Sequence, residues 1–346
     1  MSQYALLCNP GHNRVYFQAA EQLSLGELNL ALSRFSTPCE KGKVQEFGKV
    51  RYFTFTAAAP LKEQEIQLLS RLSFVYAIFL LGEGPLLRPV ERYPGAFPED
   101  LSAHLKYTGK TGEQFTRFLL NIAALCYAGN PLSRLKVLDP VCGKGTTLFE
   151  AMTLGYDGEG IDLNGKGISE GVGYLKKYLE LGCYKHTLHK ERISGPKKCF
   201  TAGTAVFVIG KDKAAVKEDP CRIKFVVGDS RYCPEIFGGN HFDLVVGDLP
   251  YGIQHQNIGA KGSGTGSRSP RELLTLCLPS WKAVLKPQGV LALSWNTFLL
   301  SRNDMVHLLG KAGFSVFQGG VFDCFSHRVD AAIMRDAVFA CSENKN

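Results

Sequence analysis

The chain has no C-x-x-C pair, no internal repeat, no run of coiled-coil heptads and no long apolar stretch, and each absence removes a class of protein. Its eleven cysteines are scattered, the closest two being Cys221 and Cys233. That spacing supplies no zinc hook, and an odd, dispersed set is expected to be reduced and mostly buried as small hydrophobes. His186 and His189 have an H-x-x-H look but no acid or cysteine at ligand spacing, so no metal is expected. The longest apolar run, Phe74 to Leu81, has eight residues against the roughly 20 that a spanning helix needs. The first residues carry neither a basic region nor a long apolar core, so no signal peptide and a cytoplasmic location are expected.

What is present is an ordinary globular composition, with 346 residues, 45% hydrophobic and 21% charged, which suits two domains. The formal charge is +8, and its placement says more than its size. Residues 1–105 carry ten basic and ten acidic side chains, whereas 176–224 hold twelve Lys/Arg against five Asp/Glu. A basic surface concentrated in one stretch is what a phosphate-backbone binder requires.

The first hundred residues alternate strand-like and helix-like pieces. Tyr4–Cys8 and Arg14–Gln18 are expected to be strands, Ala20–Phe35 a helix, Val50–Ala57 a strand and Glu63–Leu81 a helix. A Pro/Gly-rich linker from Gly82 to Pro98 follows, which sets a boundary near residue 100. The expected layout is therefore a small α/β module over 1–100, of ferredoxin-like type, and a second domain over 101–346. From Lys136 the rhythm becomes strand, helix, strand, the mark of a mostly parallel α/β sheet. Strands are expected at Lys136–Pro140, Gly158–Asp162, Lys224–Gly228, Phe242–Val246 and Val290–Ser294. Helices are expected at Gly145–Leu154, Gly167–Leu181, Pro270–Leu285 and Arg302–Ala312. A late antiparallel pair, Phe314–Cys324 with Ala331–Ala340, closes the pattern. Residues 182–220 interrupt it as a basic insertion with its own hairpin near Ala205–Ile209.

Val137 to Leu148 is an apolar strand running into a Gly-rich turn and a helix. Glycine at 143 and 145 allows a tight turn and close approach of a ligand, in the crevice where doubly wound sheets bind cofactors. A dinucleotide fingerprint would need Gly or Ala where Leu148 stands, and a P-loop over Gly109-Lys110-Thr111 would need Gly at His104. Asp162 ends the second strand, placed to hold ribose hydroxyls, and Asp229 ends the third, where it could accept from an adenine amine.

The fourth strand delivers Asp248-Leu-Pro-Tyr251 at its end. An exocyclic amine on a nucleobase is a poor nucleophile because its lone pair is delocalised into the ring. Two acceptors, the Asp248 carboxylate and a main-chain carbonyl near Leu249 or Pro250, could hold its two hydrogens and aim the lone pair at an electrophile. Tyr251 could stack on the base. Gly252 to Arg271, rich in Gly with Lys261, Arg268 and Arg271, is expected to be a mobile basic flap. Cys221 and Cys233 both precede this segment, which argues against a cysteine nucleophile for cytosine-5 chemistry.

Asp139-Pro-Val-Cys-Gly-Lys-Gly145, Gly160-Ile-Asp162 and Asp229 resemble motifs I to III of class I S-adenosylmethionine-dependent methyltransferases. Asp248-Leu-Pro-Tyr251 resembles their [N/D]-P-P-[Y/F] motif, with Leu249 at the usual middle proline. Lys106 to Thr116 and Arg328 to Arg335 extend the resemblance to the RNA methylase family that includes THUMP-associated tRNA guanine-N2 methyltransferases. It covers about residues 105–340. It implies a Rossmann-like, mostly parallel sheet with an antiparallel C-terminal strand. It also implies S-adenosylmethionine held by Asp139, Pro140, Gly143, Gly145, Thr146, Asp162, Asp229 and Ser230, with Asp248, Pro250 and Tyr251 at the reacting amine. The implied partner is RNA such as tRNA, with guanine N2 as the methyl acceptor. Adenine N6 in DNA or RNA suits the same chemistry, a non-catalytic RNA-binding protein could keep the fold, and a protein glutamine would call for Asn at 248. The front module is short for a complete THUMP unit and has no net charge.

Overall fold

The computed structural model describes residues 1–9, 14–83, 86–105, 110–250 and 270–343. Its first unit contains β1 (Ser2–Cys8), α1 (Arg14–Ser33), β2 (Lys43–Phe47), β3 (Val50–Ala57), α2 (Glu63–Arg71), β4 (Val75–Leu81) and β5 (Leu87–Val90). The strands form an antiparallel sheet in the order β2-β3-β1-β4-β5. Gly48 and Lys49 both have positive φ, 58° and 64°, the requirement of a two-residue turn that matches the strand twist between β2 and β3. Tyr4, Leu6, Phe53 and Phe55 pack with Leu28, Leu32, Leu68 and Leu69 of the helices.

Three expectations for this unit are corrected. Arg14–Gln18 belongs to helix α1 and is not a strand paired with β1, because both edges of β1 are already taken by β3 and β4. The span Glu63–Leu81 divides into α2 and β4. Leu72, at φ −58° and ψ 142°, ends the helix, and the apolar run after it fills an inner strand, an outcome that periodicity cannot separate from a buried helix. The Pro/Gly-rich linker contains β5, whose Pro89 is accommodated on an edge strand.

The second unit begins with α3 (Asp100–Ala103) and α4 (Glu113–Cys126), then β6 (Lys136–Asp139), α5 (Thr146–Thr153), β7 (Asp157–Asp162) and α6 (Gly165–Leu181). There follow β8 (Lys185–Ser194), β9 (Thr201–Gly210), α7 (Lys213–Glu218), β10 (Cys221–Val227), α8 (Cys233–Phe237) and β11 (Phe242–Asp248). The chain continues with α9 (Pro270–Val284), β12 (Leu285–Asn296), α10 (Arg302–Lys311), β13 (Phe314–Val316), β14 (His327–Arg328) and β15 (Met334–Ser342). The sheet runs β13-β15-β12-β11-β6-β7-β10-β9-β8, with β14 also on β15.

Its five central strands, β12 to β10, are parallel, and the expected antiparallel C-terminal strand is β15, lying between β12 and β13. The sheet is mixed and not mostly parallel. The basic insertion does not interrupt it but folds back as the hairpin β8–β9 onto the edge of β10, which covers an otherwise open row of backbone donors and acceptors. Helix α9 and α10 side chains cover one face through Trp281, Leu278 and Met305, and α4 with α5 covers the other through Phe118, Leu119 and Ala151. Strand β11 is accordingly buried along almost its whole length, as a parallel strand covered on both faces must be.

The two units meet at α4. Glu27 of α1 is fully buried. It accepts hydrogen bonds from Ser73 Oγ at 2.5 Å and Asn121 Nδ2 at 2.7 Å. Burial pushes its carboxyl up to about 7 against the pull of those donors. No helix among the described residues is long and apolar enough to cross a membrane.

Candidate active site

Strand order reverses between β6 and β11, whose onward connections run to opposite sides, and the carboxyl ends of the strands around such a point are where open α/β sheets hold ligands. Asp139 ends β6, Asp162 ends β7, Asp248 ends β11, and Asp229 follows β10 by two residues. Four carboxylates thus stand along one edge in the order Asp248, Asp139, Asp162, Asp229.

After Asp139 the chain turns sharply. Cys142 N–H donates to the Ile161 carbonyl at 3.1 Å, and Gly145 N–H to the Cys142 carbonyl at 2.8 Å. Gly143 and Gly145 have φ of +52° and +94°, in the left-handed region that β-carbons disfavour. A Cβ on Gly145 would meet the Phe225 ring at 2.6 Å, whereas one on Gly143 would point into open space. Pro140 and Thr146 are buried against the turn, Thr146 as the first residue of α5.

Asp139 is 4% exposed. Its Oδ1 accepts from Val141 N–H at 3.0 Å, and the Thr147 hydroxyl also hydrogen-bonds to it. Burial nevertheless pushes its carboxyl up to about 7, with the Asp162 and Asp248 carboxylates adding repulsion. Asp162 accepts Gly143 N–H on Oδ2 at 2.9 Å and Asn164 N–H on Oδ1 at 2.8 Å, tying the glycine turn to the end of β7.

Asp229 is occupied by its own neighbour. It accepts Arg231 N–H at 2.9 Å, and the Arg231 guanidinium donates to Oδ2 from Nε at 2.9 Å and from Nη2 at 2.5 Å. Ser230 corrects part of the sequence expectation. Its hydroxyl is turned into the core, where it accepts from Trp281 Nε1 at 2.8 Å, and its carbonyl accepts from the Ser280 hydroxyl at 3.1 Å, so neither group is turned to a ligand.

At the end of β11, Asp248 is clasped from two sides. The Ser294 hydroxyl donates to Oδ1 and the Thr111 hydroxyl to Oδ2. Ser294 lies opposite Asp248 in the parallel register of β11 and β12. Its carbonyl also accepts Leu249 N–H at 2.8 Å, so one residue fixes both the carboxylate and the main chain that follows. The Leu249 side chain is fully buried, a proline there could not donate that N–H, and Pro250 is half-buried. Tyr251 and residues 252–269 of the expected flap lie outside the described residues, as do Lys106 to Gly109 of the family lead-in. The remainder, Pro270 and Arg271, opens α9.

Thr111, Thr147, Arg231 and Ser294 escaped sequence analysis as site residues. Thr111 and Ser294 lie 137 and 46 positions from Asp248, and only the strand pairing and the packing of α4 bring them together. Thr147 lies within the Gly-rich run Val137 to Leu148 and Arg231 follows Ser230, yet a hydroxyl or a guanidinium in a sequence does not announce which carboxylate it will meet.

No protein-family model matches the chain, and no curated protein sequence matches it. Among solved structures it is similar to magnesium protoporphyrin IX methyltransferase from Synechocystis PCC 6803 with bound SAM. The identity is 15% over 70% of this chain and 90% of that one, with a TM-score of 0.40. A proposed RNA methyltransferase from Pyrococcus horikoshii is 12% identical over 70% of this chain and 95% of that one, with a TM-score of 0.39. TehB from Haemophilus influenzae is 13% identical over 78% and 81%, also at 0.39. Likenesses this distant carry neither substrate nor chemistry across to this chain, for which its own residues must argue.

Proposed function

We propose that this chain is an S-adenosylmethionine-dependent methyltransferase acting on an exocyclic amine in RNA, with guanine N2 of a structured RNA such as tRNA as the acceptor. The observation that carries the proposal is the row of four carboxylates at the strand ends, with the glycine turn between Asp139 and Asp162. Carboxylates are acceptors only, so they suit the hydroxyl, amine and cationic groups of such a cofactor. Asp162, already holding the turn through Gly143 N–H, retains lone pairs for a ribose diol. Asp229 suits the adenine amine once its Arg231 partner yields. When bound, S-adenosylmethionine supplies an electrophilic methyl group on a sulfonium.

Asp248 then performs the acceptor's half of the work. Its carboxylate, held by Ser294 and Thr111, would accept a hydrogen bond from one amine hydrogen and offset the positive charge that grows on nitrogen as the new C–N bond forms and the methyl–sulfur bond breaks, the surplus proton then leaving nitrogen for solvent. The main chain after it, pinned through Leu249 N–H, is suited to offer a carbonyl for the second. Preorganisation of this kind can supply roughly 7–11 kcal/mol in favourable cases, and no covalent nucleophile is needed.

The hairpin β8–β9 supports a polyanionic partner, since Lys185, Lys190, Arg192, Lys197 and Lys198 are all exposed on it. The βαββαβ order and the β2-β3-β1-β4 arrangement of the first unit support a ferredoxin-like domain over 1–100 that orients the substrate. The test is methyl transfer from labelled S-adenosylmethionine to mixed DNA and tRNA, followed by nucleoside mass spectrometry. N2-methylguanosine is expected. N6-methyladenine without it would sink the choice of base, and cofactor binding with no transfer to any nucleic acid would point to a non-catalytic protein.

A further inference from the structure

A cavity of about 540 Å³ opens between the two units, in the size range of pockets that enclose small ligands. Asn9 and Ser73 of the first unit line it together with Phe115 and Arg117 of α4 and Arg328 and Arg335 of the β14–β15 pair. Its charges do not cancel evenly. Arg117 is held by Glu150 at 2.7 Å and Glu99 at 2.9 Å, and Lys110 by Glu113 at 3.2 Å. These pairs use up the carboxylates on the wall. Arg328 instead donates only to main-chain carbonyls, those of Asp330 at 3.1 Å and Ala331 at 3.4 Å, and no carboxylate among the described residues meets it. Arg335, which also lines the cavity, is 6% exposed and lies 4.5 Å over the Phe115 ring.

The cavity also adjoins the acceptor site. Lys110 and Gly112 both line it, and Thr111 between them donates to Asp248. Phe115 packs on His327, next to Arg328, with ring centroids 5.2 Å apart. A chain seated in the cavity would therefore pass close beside the carboxylate.

We propose that this cavity seats the nucleotide adjoining the methylated one, with Arg328 bonded to its phosphate and the first unit forming the opposite wall. The proposal rests on the RNA-methylation reading above. A phosphate suits Arg328 because the planar guanidinium donates in a fork, and two of its nitrogens are already oriented by the carbonyls. Neighbouring-nucleotide contacts of this kind set register without reading the base.

The test uses the full chain and fluorescein-labelled bulk tRNA, with binding followed by anisotropy over a range of salt concentrations. Arg328 is exposed, so Arg328→Ala should fold normally. It should weaken binding about fivefold to tenfold and lower the slope of log affinity against log salt by roughly 0.7–0.9, the loss of one phosphate contact. Val329→Trp, which fills the cavity, should reduce tRNA affinity and methyl transfer together. Calorimetric binding of S-adenosylhomocysteine should be unchanged in both. If both variants bind and methylate tRNA as the wild type does, the cavity is not the path of the RNA, and the methylation reading stands. If the wild type binds S-adenosylhomocysteine but neither binds tRNA nor methylates it, that reading falls and takes this proposal with it.

Discussion

Raising the pH from about 6 to about 8 should tighten S-adenosylmethionine binding through Asp139. Burial sets this carboxyl at about 7, so its ionised fraction climbs from roughly a tenth to roughly nine tenths across that interval. A cationic cofactor beside it favours the ionised form. If only that form binds, affinity rises about tenfold, or about 1.4 kcal/mol. Titration calorimetry at the two pH values checks this, and repeating it in buffers of different ionisation enthalpy should reveal protons released on binding. The cofactor-free protein should behave in the opposite sense. A folded-state value above the unfolded one contributes stability that is complete below about pH 4 and is lost as the pH rises through about 7. Asp139→Asn should remove this share of the pH dependence in urea unfolding, while Glu27, raised in the same direction, keeps its own. Equal cofactor affinity at both pH values, or an unchanged pH dependence in Asp139→Asn, would refute the reasoning.

Asp248→Ala should lower kcat by about 100-fold or more and leave cofactor affinity nearly unchanged by calorimetry; loss of cofactor binding would mean the roles are misassigned. Ser294→Ala removes one of the donors that orient Asp248 and should cost kcat about tenfold or more, the worth of a hydrogen bond to a charged group, with partial recovery in Ser294→Thr. Gly145→Ala combines left-handed strain with a contact at 2.6 Å to Phe225 and should destabilise by about 2–4 kcal/mol. Gly143→Ala meets open space and should cost only about 1–2 kcal/mol; equal losses in urea unfolding would count against the placement of the turn.

The parts of the second unit that could be read in the sequence are those with a local cause. Val137 to Asp139 is a short apolar run that ends in an acid, and Phe242 to Val246 is a mostly apolar run with Asp248 two residues beyond it; both are strands, with that acid at the end. A hairpin was legible near the apolar run Ala205–Ile209, which lies within β9, but its docking on β10 was not, because edge pairing joins segments that no local pattern links. Arg14–Gln18 and Val75–Leu81 were misread for a related reason. Each can take either conformation locally, and the neighbours of β1 decided both.

By itself the sequence determined which residues could accept hydrogen bonds, where the chain must turn through glycine, and where its positive charge is concentrated, since these depend on side-chain chemistry and near neighbours. The tertiary structure decided which carboxylates share an edge, that Ser294 and Thr111 clasp Asp248, and that burial raises Asp139. Each of these is a matter of distance and solvent exclusion between segments far apart in the chain, and the free energy of a charge depends on what surrounds it in space.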